Sequence, residues 1–343
     1  MILDDLLFII QIKERNFTES KTNTDNWFKN KVLKKGKEQI RDTLEYLISY
    51  DEILIKNRRN QTINITKINT TEINKIIIYH ADEKLKKEYK FMKFYESSIN
   101  GNIHIFNIED YHWICKYLIT PTELDEYLKF RERIYFKHKL LMNNCPEQYL
   151  LGHFLNTEDV SFIKPEYIHT LTNLKEDVDE FDMSNFLDAF SNNIIRSEHK
   201  ESIEYHSIIK QISKLKRYEL LEFKTRFLKT IEDCKLEERK LPYRFASLRT
   251  SCGFVFIPVN KVDHKKWEIM LKNITELFKY KHRLQNCIGI TISKKGEFID
   301  INWGLISFEW ESNSELEELI KKEKKLLGAP EYKELERYKK KNN

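Results

Sequence analysis

The run Leu6-Leu7-Phe8-Ile9-Ile10 ends abruptly in Gln11-Ile12-Lys13, with Glu14-Arg15 following at once. An uninterrupted apolar run this short reads as a strand buried on both faces, and such strands belong to sheets covered on both sides. The polar residues that end it mark where the chain leaves the core, a common place for chemistry. Alternation along a strand puts Gln11 and Lys13 on one face and Ile10 and Ile12 on the other. The first eighty residues continue this theme. The loop Asn16–Asn26 is rich in Thr, Ser and Asn. A helix is predicted from about Asp25–Trp27 to Tyr50, with Val32, Gly36, Ile40, Thr43, Leu44 and Leu47 on the buried face and Asp25 as N-cap. Glu52–Lys56 and Thr62–Thr66 alternate about the polar tip Asn57-Arg58-Arg59-Asn60 as a hairpin, and Ile73–Tyr79 is a further strand.

Beyond that point the pattern changes. Residues 96–240 read as mainly helical after a short strand at His104–Ile108: Glu109–Leu118, Thr122–Phe136 with Thr122 and Asp125 as a capping box, Met183–Ile195 and a long segment Glu201–Cys234. Asn144-Cys145-Pro146 reads as a turn. Residues 241–314 return to α/β character. Gly253–Pro258 reads as a strand, Trp267, Leu271, Ile274 and Phe278 as one helix face, and Cys287–Ser293 with Glu297–Asn302 as a hairpin about Lys294-Lys295-Gly296. Leu305–Trp310 reads as a last strand, and the aromatics of this module are assigned to its core. Residues 315–343 form a charged helical tail. The expected fold is therefore mixed α/β, in four stretches: 1–95, 96–240, 241–314 and 315–343.

Composition excludes several classes. Among 343 residues there are 8 Gly and 6 Pro, too few for long flexible linkers. The five cysteines are scattered without a C-x-x-C pair, against a zinc site or disulfide framework and in favour of a reducing, cytoplasmic setting. No apolar run reaches the ~18 residues of a membrane span. Histidines show no H-E-x-x-H pattern, and neither G-x-x-x-x-G-K-[ST] nor G-x-S-x-G occurs. The net charge of +5 is matched by one segment alone. Between Trp27 and Arg41 stand Lys29, Lys31, Lys34, Lys35, Lys37 and Arg41 against the single acid Glu38. Clustered lysines of this kind suit contact with a nucleic-acid backbone.

With Asp4 and Asp5 just upstream, the order carboxylate, apolar strand, Gln-x-Lys resembles the PD-(D/E)XK superfamily of restriction-endonuclease-like nucleases, in the Q-x-K form of Mrr-like enzymes. The resemblance covers the first ~80 residues and implies a restriction-like α/β sheet at the N-terminus. The motif begins at residue 4, so the resemblance also implies a domain lacking its first elements. It assigns the metal-binding acid to Asp4 or Asp5, the second ligand to Gln11 and the catalytic lysine to Lys13, with Mg²⁺ or another divalent cation as cofactor. Nucleic-acid contacts are expected from Lys34, Lys35, Lys37 and Gln39 on the following helix, and from Arg58 and Arg59 at the hairpin tip. Acid-x-Lys triplets also occur at Glu88–Lys90, Glu222–Lys224 and Glu331–Lys333, in polar or helical contexts. Were residues 4 to 13 one straight strand, Asp4 and Gln11 would lie about 23 Å apart, so a shared ion requires a reversal near Leu6–Phe8. The implied function is a metal-dependent DNA endonuclease of a bacterial restriction or defence system, with a protein partner for the helical or C-terminal region. The alternative is a non-catalytic nucleic-acid- or protein-binding scaffold derived from a nuclease fold.

Overall fold

A computed structural model describes residues 2–3, 6–16, 23–56, 62–65, 73–98, 100–174, 182–193 and 203–323. Asp4, Asp5, Arg58 and Arg59, the tip of the first hairpin and the charged tail beyond 323 lie outside the described residues. The chain divides into two compact units between residues 178 and 179.

In the first unit the apolar run becomes β2 (Leu6–Glu14), preceded by the two-residue β1 (Ile2–Leu3). β2 lies parallel to β5 (Asn74–His80), and β5 lies parallel to β7 (Gly101–Asn107). β6 (Phe94–Ser97) closes the edge antiparallel to β7, for a sheet order of β1-β2-β5-β7-β6. Parallel neighbours need a crossover, and the long helix after β2 supplies it. The hairpin β3 (Ile53–Lys56) and β4 (Thr62–Ile65) forms a separate two-stranded ribbon between that helix and β5. Leu7, Ile9, Ile77, Tyr79, Ile103 and Ile105 project to one face, where the helix residues Trp27, Phe28, Val32 and Ile40 bury them.

The crossover helix starts as α1 (Thr24–Trp27), continues as a π-helix over Phe28–Lys35 and ends as α2 (Gly36–Ser49). Its N-cap is Asn23, whose side chain accepts from the Asp25 amide at 2.8 Å, and not the expected Asp25. The winding has a sequence cause. Phe28, Val32, Gly36 and Ile40 are all buried and recur every four residues. An α-helix of 3.6 residues per turn lets such a stripe drift sideways. The wider i→i+5 winding of the first half compensates and keeps the stripe on the sheet. Gly36 is the point of closest approach, because a Cβ there would stand 2.7 Å from Ile77 Cδ1.

After β5 come the single turn α3 (Lys87–Lys90), β6, β7 and four helices: α4 (Ile108–Tyr117), α5 (Pro121–Met142), α6 (Glu147–Asn156) and α7 (residues 169–174). α5 is capped by Thr120, whose hydroxyl accepts from the Glu123 amide at 3.2 Å, two residues ahead of the expected Thr122–Asp125 box.

The second unit holds α8 (Ser184–Asn193), α9 (Ile203–Ser213) and α10 (Arg217–Asp233), the last two being the expected single helix broken before Arg217. Its sheet runs β11-β10-β9-β8, from β8 (Tyr243–Ser247), β9 (Cys252–Val259), β10 (Asn286–Lys295) and β11 (Phe298–Ser307). Only β9 and β10 are parallel, joined through α11 (Trp267–Lys281). The strand expected at Leu305–Trp310 is the end of β11, while β8 was not expected. α12 (Ser314–Lys322) closes the described chain. Phe254 and Phe256 are fully buried, and Phe223 meets Phe256 edge-on at 5.0 Å, so these aromatics are core as read from the sequence. The fold is mixed α/β. Among the described residues no helix is long and apolar enough to cross a membrane.

Candidate nucleic-acid interface

The polar end of β2 meets the crossover helix. Gln11 and Lys13 are half-buried while Ile12 between them is 65% exposed, the inverse of an ordinary amphipathic strand. The Lys13 ammonium donates to Oε1 of Gln39 on α2. Burial lowers the pKa of Lys13, and the nearby Lys35 and Lys31 lower it further. Three cations thus lie near one another, and the Gln39 amide oxygen holds one of them. The four-residue period explains why. Lys31, Lys35 and Gln39 each stand one position before the buried Val32, Gly36 and Ile40, so they form a row along the rim of the helix where it meets β2.

An anchored frame holds this row. Arg15, buried just past β2, donates to Asp82 Oδ2 at 2.6 Å and to the Thr24 hydroxyl, and its amide bonds the His80 carbonyl at 3.3 Å. Thr24 in turn donates to Asp82 Oδ1 at 2.9 Å. The helix entry is therefore clamped to the carboxyl ends of β2 and β5, the side of a parallel sheet on which ligands usually bind. Two pairs extend the clamp outward: Lys86 Nζ to Asp25 Oδ2 at 3.5 Å, and His80 Nδ1 to Glu14 Oε1 at 3.8 Å.

The expected contact residues fare differently. Gln39 and Lys35 join Lys13, although Lys35 also reaches Glu38 Oε2 at 3.4 Å. Lys37 turns away, its ammonium 5.6 Å from the Tyr95 ring and its carbonyl accepting from Asn100. Lys34 is exposed. Lys29 stands over Tyr89, and Arg41 is drawn to Asp42 and Glu45. Lys31, counted in the basic stretch but not among the expected contacts, is part of the cluster. Its four-residue spacing from Lys35 was the available signal.

The metal centre expected from the resemblance rests on Gln11 and on Asp4 and Asp5, and the two acids lie outside the described residues. β2 runs unbroken from Leu6 to Glu14 and pairs with β1 through its first two residues, so the chain does not reverse at Leu6–Phe8. Along such a strand Leu6 and Gln11 are about 16 Å apart. Gln11 offers one neutral oxygen on the strand face it shares with the Lys13 ammonium, a weak ligand for a divalent ion. Among the described residues no group of three His, Cys, Asp or Glu side chains is placed to hold a metal.

No protein-family model, curated protein or solved structure matches the chain.

A second polar cluster was not expected at all. Arg131, fully buried, donates through Nε to Glu147 Oε1 at 2.7 Å and through Nη2 to Oε2 at 3.2 Å. Lys93 Nζ reaches Glu147 Oε2 at 2.7 Å, and the Tyr127 hydroxyl donates to Oε1 at 2.5 Å. Arg131 Nη1 also bonds the Lys93 carbonyl and approaches His104 Nδ1 at 3.2 Å, and the guanidinium lies 4.0 Å from the Phe106 ring. A guanidinium can only donate, so His104 accepts at Nδ1 and is neutral. Burial and then Arg131 hold its pKa well below the ordinary value. The network ties β6 and β7 to α5 and α6. Its members come from four distant stretches, so no local spacing announces it.

Proposed function

We propose that the N-terminal unit binds the phosphate backbone of DNA at the rim where β2 meets the crossover helix. The observation that carries the reading is the Lys13 ammonium held by Gln39 at the carboxyl end of a parallel strand, with Lys31 and Lys35 near enough to act on its charge. Like charges held together in a folded protein cost free energy unless an anion is available to occupy the site. A polyanion relieves that repulsion at every lysine it touches, and release of its counterions adds to the gain. Gln39 fixes the direction of the Lys13 ammonium, and the Arg15–Thr24–Asp82 clamp fixes the helix against the strand.

A second reading, metal-dependent cleavage of DNA in restriction or defence, is favoured by one observation: Gln11 and Lys13 share a strand face as the Q-x-K resemblance requires. No step is assigned to a metal, because Asp4 and Asp5, the acids that the resemblance assigns to it, lie outside the described residues.

Fluorescence anisotropy on a labelled duplex at several salt concentrations tests the first reading, and the same preparation incubated with supercoiled plasmid and Mg²⁺ tests the second. Salt-sensitive binding that weakens in Lys13→Ala supports the interface. Equal affinity for wild type and Lys13→Ala at low salt removes it. Plasmid nicking that vanishes in Lys13→Ala would establish the cleavage reading, and an intact plasmid with both proteins would reject it.

A further inference from the structure

Two tyrosines continue the row of Lys35 and Gln39 toward the end of the same helix. Tyr46 stands seven residues after Gln39, two turns on and about 10 Å along the axis, so it presents itself on the same side. Tyr50 follows where the helix ends, and the two rings lie 4.7 Å apart at an interplanar angle of 44°. Their exposure is unusual for a contacting aromatic pair, at 53% and 56%. Neither hydroxyl makes a hydrogen bond to another described residue. The one acid on the intervening face, Asp42, is held by Arg41 at 3.1 Å, and Glu45 is held by the same guanidinium at 3.5 Å. Cations at one end and open aromatic faces at the other form a single stripe.

A duplex uses the cations only, because its bases are stacked on one another. An unpaired strand uses both ends, its phosphates on lysines and its bases on rings, which is the division of labour at single-strand-binding surfaces. We propose that this stripe, running from Lys13, Lys31 and Lys35 to Tyr46 and Tyr50, is a binding track for single-stranded nucleic acid. The inference rests on the phosphate-binding reading above and adds to it the form of the ligand. Charge complementarity selects this occupant: an apolar protein partner would have no use for three clustered lysines, and an acidic one no use for two open ring faces.

The test uses the full chain and four labelled probes: an oligo-dT and an oligo-U of one length, and DNA and RNA duplexes of that length. The expected result is tighter binding to at least one single strand than to either duplex at equal salt. The oligo-dT and oligo-U arms decide whether DNA or RNA is preferred. Tyr46→Ala and Tyr50→Ala should each reduce single-strand affinity about five-fold or more while leaving duplex affinity within two-fold, given the usual worth of one base–aromatic stack. Tyr46→Phe, which keeps the ring, should bind as wild type, and both alanine variants lie at exposed positions where a thermal melt checks folding. Duplex binding with no preference for single strands, or single-strand binding indifferent to both alanine variants, would overturn this inference and leave the phosphate reading standing. No binding to any of the four probes would remove the phosphate reading itself. A protein captured through Tyr46 and Tyr50 in the absence of nucleic-acid binding would also overturn it.

Discussion

Glu147→Gln is the most informative single change to the core. Burial by itself would raise the Glu147 pKa, but Arg131 and Lys93 outweigh it and bring the carboxyl from 4.5 to about 2. A folded-state pKa depressed in this way contributes stability that is complete above the unfolded value and is lost as the pH falls through the folded one. Across the window from 4.5 down to about 2 the loss is about 3 kcal/mol, at roughly 1.4 kcal/mol per unit. Replacing the carboxylate with a neutral amide leaves Arg131 and Lys93 buried without their counter-charge, and breaking a buried pair from one side costs roughly 3–5 kcal/mol. For a unit of this size that corresponds to a fall in Tm of about 10 °C. The assays are thermal and urea denaturation at neutral pH, with a pH series on the wild type. A control sharpens them: exchanging Lys93, Arg131 and Glu147 together for Met, Met and Leu should cost less than Glu147→Gln alone. A Tm within 2 °C of wild type for Glu147→Gln, or a wild-type stability flat between pH 4.5 and 2, would refute the reasoning.

Three further outcomes follow from the same packing. His104 is neutral in the fold and free to take a proton when unfolded, so stability should already decline below about pH 6.5; His104→Asn, which keeps an acceptor for Arg131, should flatten that part of a denaturation–pH profile. Gly152→Ala should destabilise by about 1–3 kcal/mol in urea titration, because the new Cβ would stand 2.5 Å from the Tyr167 carbonyl oxygen, a backbone atom with little room to move. Lys37→Gln should leave DNA affinity nearly unchanged in anisotropy while Lys35→Gln weakens it, since only Lys35 belongs to the cluster.

Legibility followed range along the chain. The end of β2 was readable because an apolar run stops at two polar residues two apart, and the crossover helix because its apolar positions repeat. The same repeat explains the π-winding, although the four-residue period of Phe28, Val32, Gly36 and Ile40 was read only as a helix face. β6 and β8 were missed because each is a short edge strand with half-exposed side chains, and neither pattern stands out from a loop. α6 was missed because Cys145–Pro146 signals a turn, while Pro146 in fact stands at the N-cap and the helix begins beyond it. Lys37 was expected beside Gln39 because polar residues of this helix reach the site in the superfamily that the chain resembles. Two residues along a helix is slightly more than half a turn, so the two face different ways. The meeting of Lys13 with Gln39 joins residues 26 positions apart, and that of Lys93 with Glu147 joins residues 54 apart. Such meetings are products of the sheet order and cannot be read from spacing.

The salt dependence of DNA binding by a Lys13→Gln, Lys31→Gln, Lys35→Gln variant tests the central claim most directly. If the three lysines each neutralise a phosphate, the log–log slope of affinity against salt should become shallower by about 2.7 relative to wild type. Between 50 and 200 mM salt, wild type would then lose about 40-fold more affinity than the variant. Because these contacts carry no sequence information, the change should be the same on unrelated duplexes. A slope unchanged within 0.5 would mean that the cluster is a solvated rim and that its lysines do not hold nucleic acid.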